Sequence, residues 1–399
     1  MNVVMFLSNP FTNDARVYNE ARALIGAGHR VTVIAWDRER ENTPREVLGG
    51  IDVVRLRSGL RLRYGFGSWL WNISSLLLWQ WQAYRHALAM SKRMSLDVLH
   101  CHDLDTLAIG AWLKRKLGIP LVYDAHEIYG HMMARSAPRW IVGMLYRLEK
   151  HLVRRADRLI NVAESQRGYF ESISDRPITM IMNCKPLQST EYRPPESGGE
   201  MTVLYIGGLW PSRMILGLVA AARDLAGVRC LIGGYGRPGD VQAIEEECGR
   251  TANVEFLGRV PLDEVIPMTM RTDIVFCMFD PTDPNNVTGS PNKLFESMVC
   301  GRPIICTRGT HSGDVTEQEG VGFAVEYSVE ALREAIVKLR DDPGLRERLG
   351  RNALKAAINK YNWENEERKL VELYEGLAMT PGASLRGAPM PHRGDEAIS

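Results

Sequence analysis

Short apolar runs alternate with stretches of helical period from the first residues of the chain. Val3–Leu7, Val31–Ala35, Val53–Leu56, Val98–Cys101, Pro120–Tyr123 and Arg158–Val162 read as strands. Their near-continuous apolar character is that of strands buried on both faces, not the alternation of a half-exposed sheet. Ala15–Ala27 and the stretches around 105–117 and 139–155 carry apolar residues at helical spacing, and Gly28 ends the first of them. Strand, helix, strand in repetition predicts a parallel sheet covered by helices on both sides.

The pattern then breaks and restarts. Residues 187–200, LQSTEYRPPESGGE, are polar and rich in Pro and Gly, the composition of a linker. Beyond it, Val203–Ile206, Cys230–Ile232, Val254–Leu257, Ile274–Cys277 and Pro303–Cys306 read as strands, with helical patterns near 215–225, 240–249, 261–271, 291–300 and 329–360. The expected fold is therefore α/β, two tandem Rossmann-like, doubly wound parallel-sheet domains with a cleft between them. The divisions are residues 1–185, a linker at 186–200, residues 201–362, a final helix at 363–378 and a disordered tail at 379–399. In such sheets ligands bind beyond the carboxyl ends of the strands, so the loops after strands are the places to search.

Composition narrows the class. The 399 residues include 49 Lys plus Arg and 48 Asp plus Glu, a net charge of +1. A nucleic-acid binder needs a basic surplus, so none is expected as a partner. The seven cysteines are scattered with no C-x-x-C pair, which points to a reduced, cytoplasmic protein without a cysteine-based metal site. Val3–Leu7 is too short for the apolar region of a signal peptide and no basic segment precedes it.

Three groups of loops bring polar chemistry to strand ends. After the first strand, Thr12, Asn13 or Asp14 can cap the following helix, whose N-terminus attracts anions, and Arg16 follows. No G-x-G-x-x-G stands there, which argues against a dinucleotide cofactor. His100, His102 and Asp103 close one strand, and Asp124, His126 and Glu127 close the next. Alternation puts His100 and His102 on one face, but a metal centre needs a third ligand that the spacing does not specify, so His100 also reads as a structural hydrogen bonder. His126, between two acids, reads as a cleft residue. Gly207 and Gly208 precede Arg213, and a second glycine loop (Gly233, Gly234, Gly236) follows the next strand; together they let a backbone approach a phosphate.

The fourth loop says most. In NNVTGSPNKLFE (285–296), Ser290 is suited to cap a helix and Pro291 to open it, with Asn292 and Lys293 in the first turn. Free N–H groups and a lysine make a pyrophosphate seat. Glu296 shares the face of Lys293 and can accept bonds from ribose hydroxyls, or the two form only a surface pair.

Taken together, TNDARVYNEARALIGAGHRVTVIAW, DVLHCHDLDTLAIG, LVYDAHE, LYIGGLWPSR, LIGGYG, VEFLGRVP and SPNKLFESMVCGRPII resemble, in order and spacing over roughly residues 1–378, family 4 of the retaining glycosyltransferases, which have the two-domain GT-B fold. The resemblance implies metal-independent transfer, with retention, of a sugar from a UDP- or GDP-linked donor bound by the second domain. The acceptor, a lipid-linked or other glycan, would lie on the first. No cofactor is implied beyond the nucleotide-sugar co-substrate. It implies catalytic roles for His126 beside the donor sugar and for Arg213 and Lys293 at the diphosphate. It places Gly234, Arg259, Val260, Thr288, Asn292, Leu294 and Glu296 around the donor, and Asn13, Asp14, Arg16, His102 and Asp103 on the acceptor side. Thr288 stands where the family's Glu-x7-Glu motif has its first acid, and Met214 where a glycine commonly follows the basic residue. Two other activities suit the same fold: a nucleotide-sugar 2-epimerase, and a non-catalytic nucleotide-sugar-binding partner of another transferase.

One segment stands apart. Residues 64–84, YGFGSWLWNISSLLLWQWQAY, carry no charge and four of the nine tryptophans, Trp69, Trp71, Trp79 and Trp81. Asn, Ser and Gln interrupt the apolar run too often for a spanning helix. Arginines flank it on both sides, which predicts a helix lying on anionic lipid at the inner face of the cell membrane; the alternative is a core helix. Trp140–Arg155 has the same basic and apolar character.

Overall fold

The computed structural model describes residues 1–12, 14–58, 68–196 and 199–379, with side chains from residue 72 onward in the helix that opens at Ser68. Asn13, the side chains of Trp69 and Trp71, and the tail beyond Met379 lie outside the described residues.

Two sheets form. The first runs β3-β4-β2-β1-β5-β6-β7-β8, from β1 (Asn2–Leu7), β2 (Arg30–Trp36), β3 (Arg45–Leu48), β4 (Ile51–Leu56), β5 (Val98–His102), β6 (Leu121–Ala125), β7 (Arg158–Asn161) and β8 (Ile178–Met180). The second runs β11-β10-β9-β12-β13-β14, from β9 (Met201–Gly208), β10 (Val228–Tyr235), β11 (Val254–Gly258), β12 (Ile274–Cys277), β13 (Ile304–Thr307) and β14 (Gly322–Val325). Pairing is parallel throughout except that the exposed edge strand β3 pairs antiparallel with β4. The central strands β5, β6, β12 and β13 are buried along their whole length, the property their apolar runs predict.

Strand order fixes where ligands go. The chain winds outward from β1 through β2, then returns to lay β5 on the other side of β1; it does the same around β9, with β10 and β12. Each reversal opens a crevice at the carboxyl ends of those strands. The loops after β1, β5 and β6 therefore share one crevice, and those after β9 and β12 the other.

Both faces of the first sheet are covered. One face packs on the helices Ser68–Met90, Leu104–Leu117 and Arg139–Val153, the other on Ala15–Gly26 and on the terminal helix Trp363–Ala378, whose Leu370, Tyr374 and Leu377 pack among Val3, Met5 and Val33. The last helix thus belongs to the first lobe: the chain crosses between lobes twice. At that crossing Glu366 accepts the Met182 N–H at 2.9 Å and Trp363 N–H donates to the Lys185 carbonyl at 3.0 Å.

Several expectations are corrected. Trp79 is not at a surface: it is fully buried and stacks on Trp36, centroids 5.4 Å apart. The pattern over 329–360 is two helices, Val329–Asp341 and Pro343–Asn359, because Asp342 caps the second and Pro343 cannot continue the first. The helix expected from Pro291 begins at Asn292, with Pro291 in the cap position and no side chain capping it.

Candidate functional site

The crevice of the second sheet gathers the cations. The loop after β9 turns through Pro211–Arg213 into the helix Ile215–Ala222. Met214 at the joint has φ of 55°, a left-handed conformation that glycine takes freely and that costs a β-carbon residue about 1 kcal/mol. Arg213 lies over the Phe279 ring, 3.8 Å from its centroid, and donates to Asn286 Oδ1 at 3.3 Å. Lys293 reaches in from the first turn of Asn292–Val299, its Nζ 4.4 Å from the centre of the Tyr205 ring. Burial lowers the Lys293 pKa below the usual lysine value. Two cations and an uncapped helix start thus flank the end of β9.

Glycines make the room. A Cβ on Gly207 would fall 2.3 Å from Lys293 Nζ, and one on Gly234 would fall 1.8 Å from the Gly207 carbonyl oxygen. The two substitutions should therefore part company. Gly207→Ala meets the end of a flexible side chain and strains a backbone held at φ of 157°, so it is expected to fold with a smaller loss of stability but to lose about tenfold in turnover. Gly234→Ala forces β9 from β10 and should lower the melting temperature by several degrees in a thermal-shift assay.

The other expected donor residues fall nearby. Arg259 is exposed on the loop after β11, and Val260 packs against Gly233. Leu294 is core, and its N–H is spent on the Pro291 carbonyl at 3.1 Å. Ser290, freed from capping, has a buried hydroxyl without a hydrogen-bond partner among the described residues. Glu296 is buried beside Lys185, Oε1 to Nζ 3.6 Å, and Lys185 also donates to Asn292 Oδ1 at 3.2 Å. Lys185 escaped the sequence reading because it stands in the crossing segment, outside any motif. Thr288 turns across the cleft: its Oγ1 lies 3.2 Å from His131 Nδ1, and its carbonyl accepts from Ser165 at 2.9 Å.

The crevice of the first sheet holds a buried polar network. Arg16 grips Asp124 with two bonds, Nε to Oδ2 at 3.0 Å and Nη2 to Oδ1 at 2.7 Å, and pairs with Glu20 one turn along at 3.0 Å. Its Nη1 donates to the Ile181 carbonyl and to Asn183 Oδ1, at 2.8 and 3.0 Å. Asp124 Oδ2 also meets His102 Nδ1 at 3.1 Å and His126 Nε2 at 3.0 Å. Arg16 and His102 are thus almost wholly enclosed and brace His126 through Asp124. Asp14 caps the first helix by accepting the Val17 N–H at 3.1 Å.

His126 is the part of the network that reaches the cleft, 19% of its side chain being exposed. Burial disfavours its cationic form, yet Asp103 and Asp124 on either side outweigh this and lift its pKa to about 10. Asp103 holds the His126 N–H at 3.0 Å from a residue with φ of 61°, and burial pushes its own pKa up to about 7. His126 is therefore an imidazolium between two acids at neutral pH, an orienting cation and not a free base.

Glu20, His100, His102 and Asp124 bring potential ligand atoms within 4.8 Å of one another. The His100 and His102 rings stack, centroids 4.4 Å apart and 22° from parallel. In-plane lone pairs of stacked rings run side by side and do not converge on one ion, Arg16 already compensates Asp124, and burial raises the Glu20 pKa to about 8. The arrangement fits a hydrogen-bonded network better than a metal centre. His100 is held structurally, its Nδ1 2.8 Å from the Tyr374 hydroxyl of the terminal helix.

Comparison with known proteins covers both lobes. Residues 15–185 match Glycosyltransferase Family 4, and residues 200–342 match Glycosyl transferases group 1. D-inositol 3-phosphate glycosyltransferase of Segniliparus rotundus is 22% identical over 333 residues, 77% of this chain and 70% of that protein. Among solved structures, sucrose-phosphate synthase from Thermosynechococcus elongatus superposes with a TM-score of 0.79 at 18% identity, covering 94% of this chain and 99% of that one. Anabaena HepE in complex with UDP-glucose superposes with a TM-score of 0.70 at 16% identity, covering 94% and 99%.

Proposed function

The chain belongs to glycosyltransferase family 4, and from that premise we propose that it transfers a sugar, with retention and without a metal, from a UDP- or GDP-linked donor to a lipid-linked or saccharide acceptor. The observation that carries the reading is the convergence of Lys293, Arg213 and the uncapped start of Asn292–Val299 at the end of β9. Departure of a nucleoside diphosphate develops negative charge at that place, and preorganised cations and amide donors stabilise it. Glu296 would hold the ribose, with Lys185 fixing its carboxylate.

Across the cleft, His126 would orient the donor sugar and Asp103 would receive an acceptor hydroxyl. Asp124 is unsuited to act as a nucleophile, since Arg16, His102 and His126 occupy its oxygens. Attack from the face the diphosphate leaves is then the consistent route, with a donor phosphate oxygen taking the acceptor's proton.

The test begins with a thermal-shift screen of UDP- and GDP-sugars, followed by proton NMR of the first product formed from the stabilising donor. An axial donor linkage kept axial, with activity unchanged in EDTA, is expected. An inverted product or activity abolished by EDTA would refute the mechanism. Sugar with its C2 configuration inverted, formed without any acceptor, would favour the epimerase.

A further inference from the structure

The three helices that cover one face of the first sheet, Ser68–Met90, Leu104–Leu117 and Arg139–Val153, pack side by side, and the first and third each turn a second apolar stripe outward. On Ser68–Met90, the buried side is Ser75, Trp79, Ala83 and Ala87, and the opposite side shows Ile73, Leu77 and Trp81 at four-residue intervals, Trp81 being 52% exposed. Arg139–Val153 repeats this with Trp140, Met144 and Leu148 outward, Trp140 being 59% exposed. Trp112 stands outward on the helix between, edge-on to Tyr84 at 6.3 Å. Seven large apolar side chains on one side of one layer exceed the scatter of single apolar residues that any soluble surface carries.

Charge names the occupant. Arg85, Arg115, Lys116, Arg139, Arg147 and Lys150 are exposed on the same helices. The acids there are Asp105, in the first turn of its helix, and the buried Glu149. Tryptophans amid cations, without exposed acids, suit the boundary of an anionic bilayer, where indole sits at headgroup level and phosphates meet the basic rim. No helix among the described residues is long and apolar enough to cross a membrane, so the contact would be a surface one. We propose that this three-helix face docks the protein flat on an anionic lipid surface. Trp81, Trp140, Met144 and Leu148 enter the interface. The proposal is independent of the transferase reading, because it concerns a surface remote from the nucleotide crevice.

The test is co-sedimentation of the full chain with phosphatidylcholine vesicles, with and without phosphatidylglycerol. Binding to the anionic vesicles, weakened by salt, is expected. Trp81→Ser/Trp140→Ser and, separately, Arg147→Glu/Lys150→Glu should each lower vesicle partition by roughly tenfold or more while melting temperature and nucleotide binding stay as in the wild type. Wild-type protein that stays in the supernatant with anionic vesicles would overturn the proposal. So would variants that sediment unchanged. Light scattering that shows self-association abolished by the same tryptophan substitutions would assign the face to a second copy of the chain instead.

Discussion

Lys293→Met is expected to lower kcat with the best nucleotide-sugar donor by two to three orders of magnitude, while the melting temperature holds or rises. The two halves of this result have one cause. The ammonium is kept in a largely dehydrated place, over the Tyr205 ring and against the Gly207 backbone, where burial lowers its pKa. A charge held there costs the folded state and is repaid when a diphosphate arrives. Methionine keeps the packing on Tyr205 and removes both the charge and its cost. Steady-state kinetics beside a thermal melt measures the two halves separately. Arg213→Met should behave alike, and the double variant should lose less than the sum, since both act on the same leaving group. A Lys293→Met enzyme with wild-type kcat would remove the diphosphate grip from the mechanism.

The residues that carry this prediction were legible in the sequence because each belongs to a local pattern: a glycine pair before Arg213, and a Ser-Pro helix start before Lys293. The strands were legible for a similar reason, since a fully buried strand shows as an unbroken apolar run. What escaped lacks such a run. β3 is exposed along its whole length, and the helix His311–Glu319, HSGDVTEQE, buries Ser312, Gly313 and Thr316 instead of an apolar stripe. The aromatic segment suggests a surface for Trp79 and Trp81 alike. Two helical positions are about 200° apart, so one faces Trp36 and the other solvent. The network around His126 escaped for a different reason. Arg16 and Asp124 are 108 residues apart, and Tyr374 meets His100 across 274. No local spacing encodes such partners.

That network sets the second large expectation. Arg16→Met should destabilise the protein by about 3–5 kcal/mol, the cost of leaving a buried carboxylate without its counter-charge. For a lobe of this size the melting temperature should fall by roughly 10 °C. Four acceptors lose their donor at once, both oxygens of Asp124, the Ile181 carbonyl and Asn183 Oδ1, and Glu20 loses its ion pair. Ile181 and Asn183 lie in the segment that crosses between lobes, so the loss should also loosen the hinge. Asp124→Asn in the Arg16→Met background should recover part of the stability, because it removes the uncompensated charge, whereas Asp124→Asn alone strands Arg16. In Arg16→Met, nucleotide affinity should change less than twofold, since the donor crevice is built on the other sheet, while transfer should fall as Asp124, released by Arg16, no longer orients His126. A double-mutant cycle read by thermal melts, with nucleotide titration alongside, separates the outcomes. If Arg16→Met melts with the wild type, or if Asp124→Asn adds its full cost on top, the two residues are uncoupled and His126 is held by something other than this chain of bonds.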